Sequence, residues 1–282
     1  MAEVVNPKEH VEVATQRYHF EEAFRLVYQE YYKKGYCSAN PHQSRLSIYN
    51  ALPESVTFCL WRNRMILATA SLIIDSPVGL PMEETYPNEV QALRVQGRKL
   101  SEVSLLALNS ELIPKGIKPI YFAERLRRLY HLFKPLFWYA RKTAGCSDLC
   151  IAVNPVHKML YSSLYFEQFG EEKVYESVNG NPSIAMRLNF DKLEDRAKFR
   201  TPGLFKLFLG SCLEIKHISE VFRWNIHDFS YFFAEASNTL KTAKPKQLEY
   251  LSQVYPEFSL KQLATNYSPV SNHGSTISRK PG

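Results

Sequence analysis

No run in this chain reaches the roughly 18 uncharged apolar residues that a membrane-spanning helix needs. The greasiest stretches, Leu129–Ala140 and Gly203–Leu213, are shorter and carry Lys134 and Lys206. The opening, Met1–His10, is polar with charges of both signs and lacks the basic-then-apolar order of a secretory signal. A cytoplasmic location is therefore expected, with peripheral membrane association left open. A CxxC pair is also missing. The five cysteines are an odd number, and Cys146 and Cys150 stand four apart, so free thiols are expected, with Cys59 and Cys150 as small core residues. No metal site is expected from them. Zinc-finger spacing, an RNP motif and a recognisable helix-turn-helix are all lacking, which argues against a nucleic-acid partner. There is no internal repeat.

What the chain does have is apolar material. Of its 282 residues 45% are hydrophobic and 13% aromatic, ample for a packed core. The net charge of +7 is unevenly placed. Between Gln91 and Lys142 eleven lysines and arginines face only Glu102, Glu111 and Glu124, a local charge of +8, and the remainder is close to neutral. Such a face suits an acidic protein, a phosphate-bearing ligand or an anionic surface, and charge alone does not choose among them.

Periodicity organises the first 190 residues. His19–Lys34 repeats apolar residues at helical spacing (Phe20, Ala23, Phe24, Val27, Tyr28, Tyr31), which predicts a helix with one buried face. Ser55–Trp61 and Met65–Ile74 predict a hairpin, and Asp75–Pro81, with two prolines and a glycine, a shaped loop. Glu89–Gln96 reads as a short helix, Ser101–Leu108 as a strand. Ile120–Thr143 reads as a helix with Phe122, Leu126, Leu129, Phe133, Phe137 and Ala140 inward, kinked at Pro135. Leu149–Val153 reads as a central strand, Pro155–Gln168 as a helix. Lys173–Val178 and Ser183–Phe190 flank a turn signal at Asn179–Pro182 and predict a terminal hairpin. This order predicts an α/β fold, a twisted sheet with helices on both faces, over residues 1–190. Residues 191–266 read as a helical extension, with segments near Leu204–Phe222, Ile226–Leu240 and Lys246–Val254, and residues 267–282 as a disordered tail.

Four stretches carry a resemblance: Phe24–Tyr31 with Gly35 and Tyr36; Asp75–Met82; Leu93-Arg94 with Gly97-Arg98 and Glu102-Val103-Ser104; and Asn154-Pro155-Val156-His157 with Tyr161. In these the chain resembles the long-chain N-acyl amino acid synthases of the N-acyltyrosine synthase type, relatives of the acyl-homoserine lactone synthases within the GNAT superfamily. The resemblance spans roughly residues 10–190, with Asp75–Met82 its most specific element. It implies a GNAT fold and a reaction in which an acyl thioester on an acyl carrier protein meets a small amine or amino acid, giving an N-acyl amino acid and a free pantetheine thiol. The acyl-phosphopantetheine is then a co-substrate, and no resident cofactor is expected.

Aminolysis of a thioester needs a proton acceptor for the amine, donors for the developing oxyanion and a proton for the departing sulfur. By resemblance Glu102 is the acceptor, and Tyr161 binds or protonates the leaving thiolate, although as a bare sequence feature Tyr161 also fits an aromatic helix face with Tyr165. Leu105, Leu106, Ala107 and Leu108 lend backbone groups to the donor, Asp75 and Tyr36 are substrate-binding candidates, and His157 supports its helix. Homoserine lactone synthases carry arginines where this chain has Val27 and, approximately, Ser71. Coenzyme A users have a glycine-rich loop opening the next helix, where Asn109–Lys118 has one glycine and one proline. That favours a carrier-protein donor, and Arg94, Arg98, Lys99, Lys115, Lys118, Arg125 and Arg128 are candidates to dock it. Two other readings remain open: an inactive acyl-carrier or lipid-binding relative, and a GNAT enzyme using acyl-coenzyme A.

Overall fold

The computed structural model describes residues 9–113, 118–200 and 222–266. Seven strands form one sheet in the order β1-β2-β3-β4-β5-β7-β6. They are β1 (Glu9–Val13), β2 (Ser55–Arg62), β3 (Met65–Ile74), β4 (Leu100–Leu108), β5 (Asp148–Val153), β6 (Glu167–Tyr175) and β7 (Asn181–Asn189). Every pairing is antiparallel except β4 with β5, which is parallel.

Helix α1 (Arg17–Lys33) buries Phe20, Ala23, Phe24, Val27 and Tyr28 of the face its spacing predicts, with Leu26 in addition, and Gly35 at φ +72° turns the chain away after it. This face packs on one side of the sheet with Trp61, Ile66, Leu105 and Ala107. On the opposite side lies α3 (Lys118–Trp138), with Leu129, Leu132, Phe133, Leu136 and Phe137 against β2 to β5 and β7. The shorter α2 (Pro87–Val95) closes a third cluster with Leu80, Met82 and Tyr86. Phe122, expected on the inward face of α3, is instead 54% exposed, so the first turns of α3 stand off the core. The helix runs on through Pro135, and the irregularity comes four residues later as a π turn at Tyr139–Thr143.

The helix expected over Pro155–Gln168 is shorter, with a 3-10 turn at Pro155–His157 and α4 at Lys158–Ser163. Tyr165 at φ +67° ends it, and β6 then begins at Glu167, six residues before the expected start at Lys173. Helix α5 (Phe190–Arg200) follows β7. The described part of the extension holds α6 (Ile226–Ser230), prolonged by a π turn at Tyr231–Glu235, then α7 (Pro245–Val254) and α8 (Leu260–Asn266). It packs on α1. Trp224 and Phe232 meet Phe20 at ring distances of 4.4 and 6.2 Å, and Phe229, Phe233, Leu251 and Tyr255 are buried with them. The segment Leu204–Phe222 lies outside the described residues except for Phe222, and the expected tail at 267–282 lies wholly outside them.

Candidate active site

Strands β4 and β5 pair at only three positions, Leu100 with Asp148, Ser101 with Leu149 and Glu102 with Cys150. Beyond Glu102 they part, β4 running on to Leu108 and β5 to Val153. A cleft of about 680 Å³ opens in the wedge, within the usual range of small-molecule sites. The edge that β5 vacates leaves the backbone of β4 facing this cleft without a strand partner.

Just past the fork β4 is bulged. Its register on β3 shifts between Thr69, opposite Ala107, and Ser71, opposite Ser104, so that Leu105 and Leu106 stand against Ala70 alone. Leu105 takes φ +50°, a left-handed conformation that costs an ordinary side chain on the order of 1–3 kcal/mol. Such bulges re-aim the groups around them. Leu105, Leu106 and Leu108 line the cleft, whereas Ala107, also expected there, does not and is buried in the α1 core.

Glu102 sits at the fork. Its carboxylate is 2% exposed yet lines the cleft, and Oε2 accepts a hydrogen bond from the Met82 N–H at 2.8 Å. Burial pushes its pKa up to about 8, with the nearby Glu83 adding to the rise and the Met82 bond opposing it. A carboxylate poised near neutrality in a cleft is what proton transfer at an amine calls for.

The Asp75–Met82 loop explains how that donor is held. Both Asp75 oxygens are taken by Arg94, Oδ2 from Nε at 2.7 Å and Oδ1 from a terminal nitrogen at 2.8 Å, and Arg94 also grips Glu83. Glu83 in turn accepts the Leu80 N–H at 2.6 Å. Gly79, at φ +83°, lies so close to the Glu83 carboxylate that a Cβ there would collide with it. The loop is thus a clamp that presents the Met82 N–H. Asp75, expected to bind substrate, does not line the cleft; its carboxylate is committed to Arg94.

Tyr161, on α4, lines the cleft with 6% exposure and packs edge-on against Phe166 at 5.8 Å. Burial drives its phenol well above the ordinary range, so it stays protonated. Tyr36 also lines the cleft. His157, Lys34 and Arg125 gather on the same side; burial first, then the two cations, lowers the histidine pKa.

A model of the FeeM N-acyl amino acid synthases matches residues 22–189, more than half of the chain. This chain belongs to that family. Among solved structures it is similar to FeeM, an N-acyl amino acid synthase from uncultured soil microbes, with 28% identity and a TM-score of 0.57 over 70% of this chain and 99% of that one. The acyl-homoserine lactone synthase LasI matches with 12% identity and a TM-score of 0.49 over 75% of this chain and all of LasI. An N-acetyltransferase from Staphylococcus aureus Mu50 matches with 16% identity and a TM-score of 0.44, over 65% of this chain and 99% of that one. No curated protein matches the chain. The fold is GNAT-like, and the chain, as a FeeM-family member, is an N-acyltransferase.

Within this family fold the basic residues divide. Arg94 is spent on the clamp. Arg98 donates to Asp148 through Nε and to Asp191 at 3.0 Å, tying down the β4–β5 junction. Arg128, expected on the surface, has no exposed surface at all; it donates to Glu124 at 3.0 Å, to the Asn109 carbonyl at 3.2 Å and to the Leu112 carbonyl. It is a structural tie between α3 and the end of β4. Lys99 is exposed and Arg125 borders the cleft. Lys115 and the side chain of Lys118 lie outside the described residues.

Several cleft residues, Arg45, Tyr49 and Tyr175 among them, are not marked as site candidates by the sequence. Arg45, in the loop after α1, stands 5.2 Å over the Tyr31 ring and donates to the Ser177 carbonyl. Its Nε is buried without a partner, and among the described residues no carboxylate pairs with it. Tyr31 and Tyr49 line the same cavity, their phenols raised to about 12 by burial, Tyr175 shares it, and the extension adds a further wall.

Proposed function

We propose that this chain transfers a long-chain fatty acyl group from an acyl carrier protein thioester to the amine of an amino acid. The observation that carries the reading is Glu102, buried with a raised pKa where the cleft opens. In the reaction the amine nitrogen attacks the thioester carbonyl and a C–N bond forms. Glu102 takes the amine proton, directly or through water. Backbone N–H groups of β4 around the Leu105 bulge stabilise the oxyanion. The C–S bond then breaks, and Tyr161, as an intact phenol, gives its proton to the departing thiolate and regains one afterwards. Leu106, Leu108, Leu129, Ile151, Val153 and Leu160 supply the apolar lining for an acyl chain. Arg45, a cation without a carboxylate partner, favours an acceptor that carries one.

Extraction of cells expressing the chain, followed by mass spectrometry, tests the reading: N-acyl amino acids in the organic phase support it, and their absence contradicts it. Tyr161→Phe is expected to lower kcat by about tenfold, less than the roughly 100- to 10,000-fold usual for general acid–base groups because a thiolate already leaves well. Unchanged turnover would remove the phenol from the mechanism.

The donor supplies a separate test. Lys34, Arg125 and His157 give the cleft a basic rim, which suits the single phosphate of a carrier arm and the acidic protein bearing it. Arg125→Glu is expected to lower kcat/KM for acyl carrier protein by about 3- to 10-fold at low salt, the deficit shrinking as salt screens it. Acyl-pantetheine, with no acidic protein attached, loses less. Equal use of acyl-coenzyme A by the wild-type enzyme would overturn the carrier-protein donor.

A further inference from the structure

The family match ends at residue 189, yet the cleft does not end there. Asn238, Thr239, Thr242, Ala243, Lys244 and Gln247, all in the extension, line the same cavity as Glu102. Their placement is firm. Leu240 is fully buried and its N–H bonds the Phe233 carbonyl at 2.9 Å, while Trp224 Nε1 and the Tyr255 hydroxyl donate to the carbonyls of Asn50 and Ala51, each at 3.0 Å. Tyr250 adds a bond to Glu54. The segment is therefore held against the turn that precedes β2, a fixed wall rather than a loose tail.

The wall belongs to one half of the cleft. Gln247 is 7% exposed, its Oε1 accepts the Lys244 N–H at 2.8 Å, and its side chain reaches the phenol of Tyr49. Tyr49 bonds the Leu80 carbonyl at 3.4 Å, in the loop that presents Met82 to Glu102. The electrostatic neighbours of Tyr49 are Glu102, Glu83 and Glu84. Those of His157 are Lys34 and Arg125, on the basic rim assigned above to the donor. Glu102 thus stands between a donor half and a half closed by the extension.

We propose that residues 238–247 form the wall that selects the amine acceptor. The inference rests on the transferase reading and adds to it the element that sets specificity. The wall is built of hydroxyl and amide side chains with one cation, Lys244, so it favours an amino acid whose side chain is polar or carboxylate-bearing. Thr242 lines the cavity, and its side chain bounds the room for that of the acceptor.

Truncation is no test, because removing the extension bares the aromatic face of α1. Thr242→Trp and Lys244→Glu change exposed positions and preserve the fold. Calorimetric binding of N-dodecanoyl glycine, tyrosine and glutamate to the full chain and to each variant reads the acceptor subsite directly. In Thr242→Trp the tyrosine conjugate is expected to weaken relative to the glycine conjugate by about tenfold or more, as when a pocket loses room for a side chain. In Lys244→Glu the glutamate conjugate weakens relative to glycine by a similar factor, about tenfold. Equal losses for all three conjugates, no change, or no binding of any conjugate by the wild-type chain would overturn the wall. The transferase reading falls on a different result, failure of the wild-type enzyme to turn over acyl carrier protein with any amino acid, which leaves the binding ratios standing.

Discussion

Glu102→Gln is expected to lower kcat for acyl transfer by about 100- to 10,000-fold, the usual contribution of a general base. The amide oxygen can still accept the Met82 N–H, so the loop and fold survive while the proton acceptor is gone. In the wild-type enzyme kcat should rise with pH through about 8, where Glu102 loses its proton, and the variant should lack that limb. Stability should move the other way. Between the ordinary carboxyl value of 4.5 and about 8 the folded protein holds a proton that the unfolded chain has released. Stability from this group is therefore lost as pH rises through that window. Urea midpoints at pH 5 and pH 8.5 should fall more for wild type than for the glutamine variant. Near-wild-type turnover in Glu102→Gln would place the base elsewhere.

Arg128→Ala should cost about 3–5 kcal/mol of stability, the range for breaking a buried charge network by removing one partner. The loss has named parts: the carbonyls of Asn109 and Leu112 lose their donor, Glu124 keeps only its other cations, and a cavity opens beneath α3. Thermal or urea unfolding measures it. Arg125→Glu, three residues earlier on the same helix, should unfold close to wild type. If both variants behave alike, Arg128 is not the structural tie its burial indicates. A carrier-docking test that reverses both arginines together would confuse binding with folding.

Those two arginines show where a helical pattern stops being informative. Both lie off the apolar stripe of α3, and the 3.6-residue period gives them the same solvent-facing reading. Arg128 is covered because the backbone at 109–112 folds back over it, a contact between residues 16 and 19 apart in the chain. Phe122 differs in the opposite direction: its spacing continues the stripe, but near the start of the helix it is 54% exposed. Strand β1 is hard to read from sequence because its alternation consists of only two apolar residues, Val11 and Val13; it is an edge strand whose Glu9 is paired by Arg62 and Arg127.

At the site the same division holds. Glu102 and Tyr161 stand out through motifs and both line the cleft, whereas the carboxylate of Asp75, expected on substrate, is held by Arg94. An aspartate beside a cleft can bind substrate or brace a loop, and only the position of Arg94, nineteen residues on, decides between them. Arg45 and the 238–247 wall had no local signal, since a residue lining a cavity need obey no period.

Alternation and helical spacing were enough to establish strands β2 to β5, helices α1 to α3 and the terminal hairpin, because burial of one face imposes a repeat that neighbouring residues share. Tertiary structure alone decided the parting of β4 from β5, the left-handed Leu105, the raised pKa of Glu102 and the closure of the cleft by the extension. Each of these depends on groups far apart in the chain meeting in space, and on water being excluded where they meet, which no local repeat encodes.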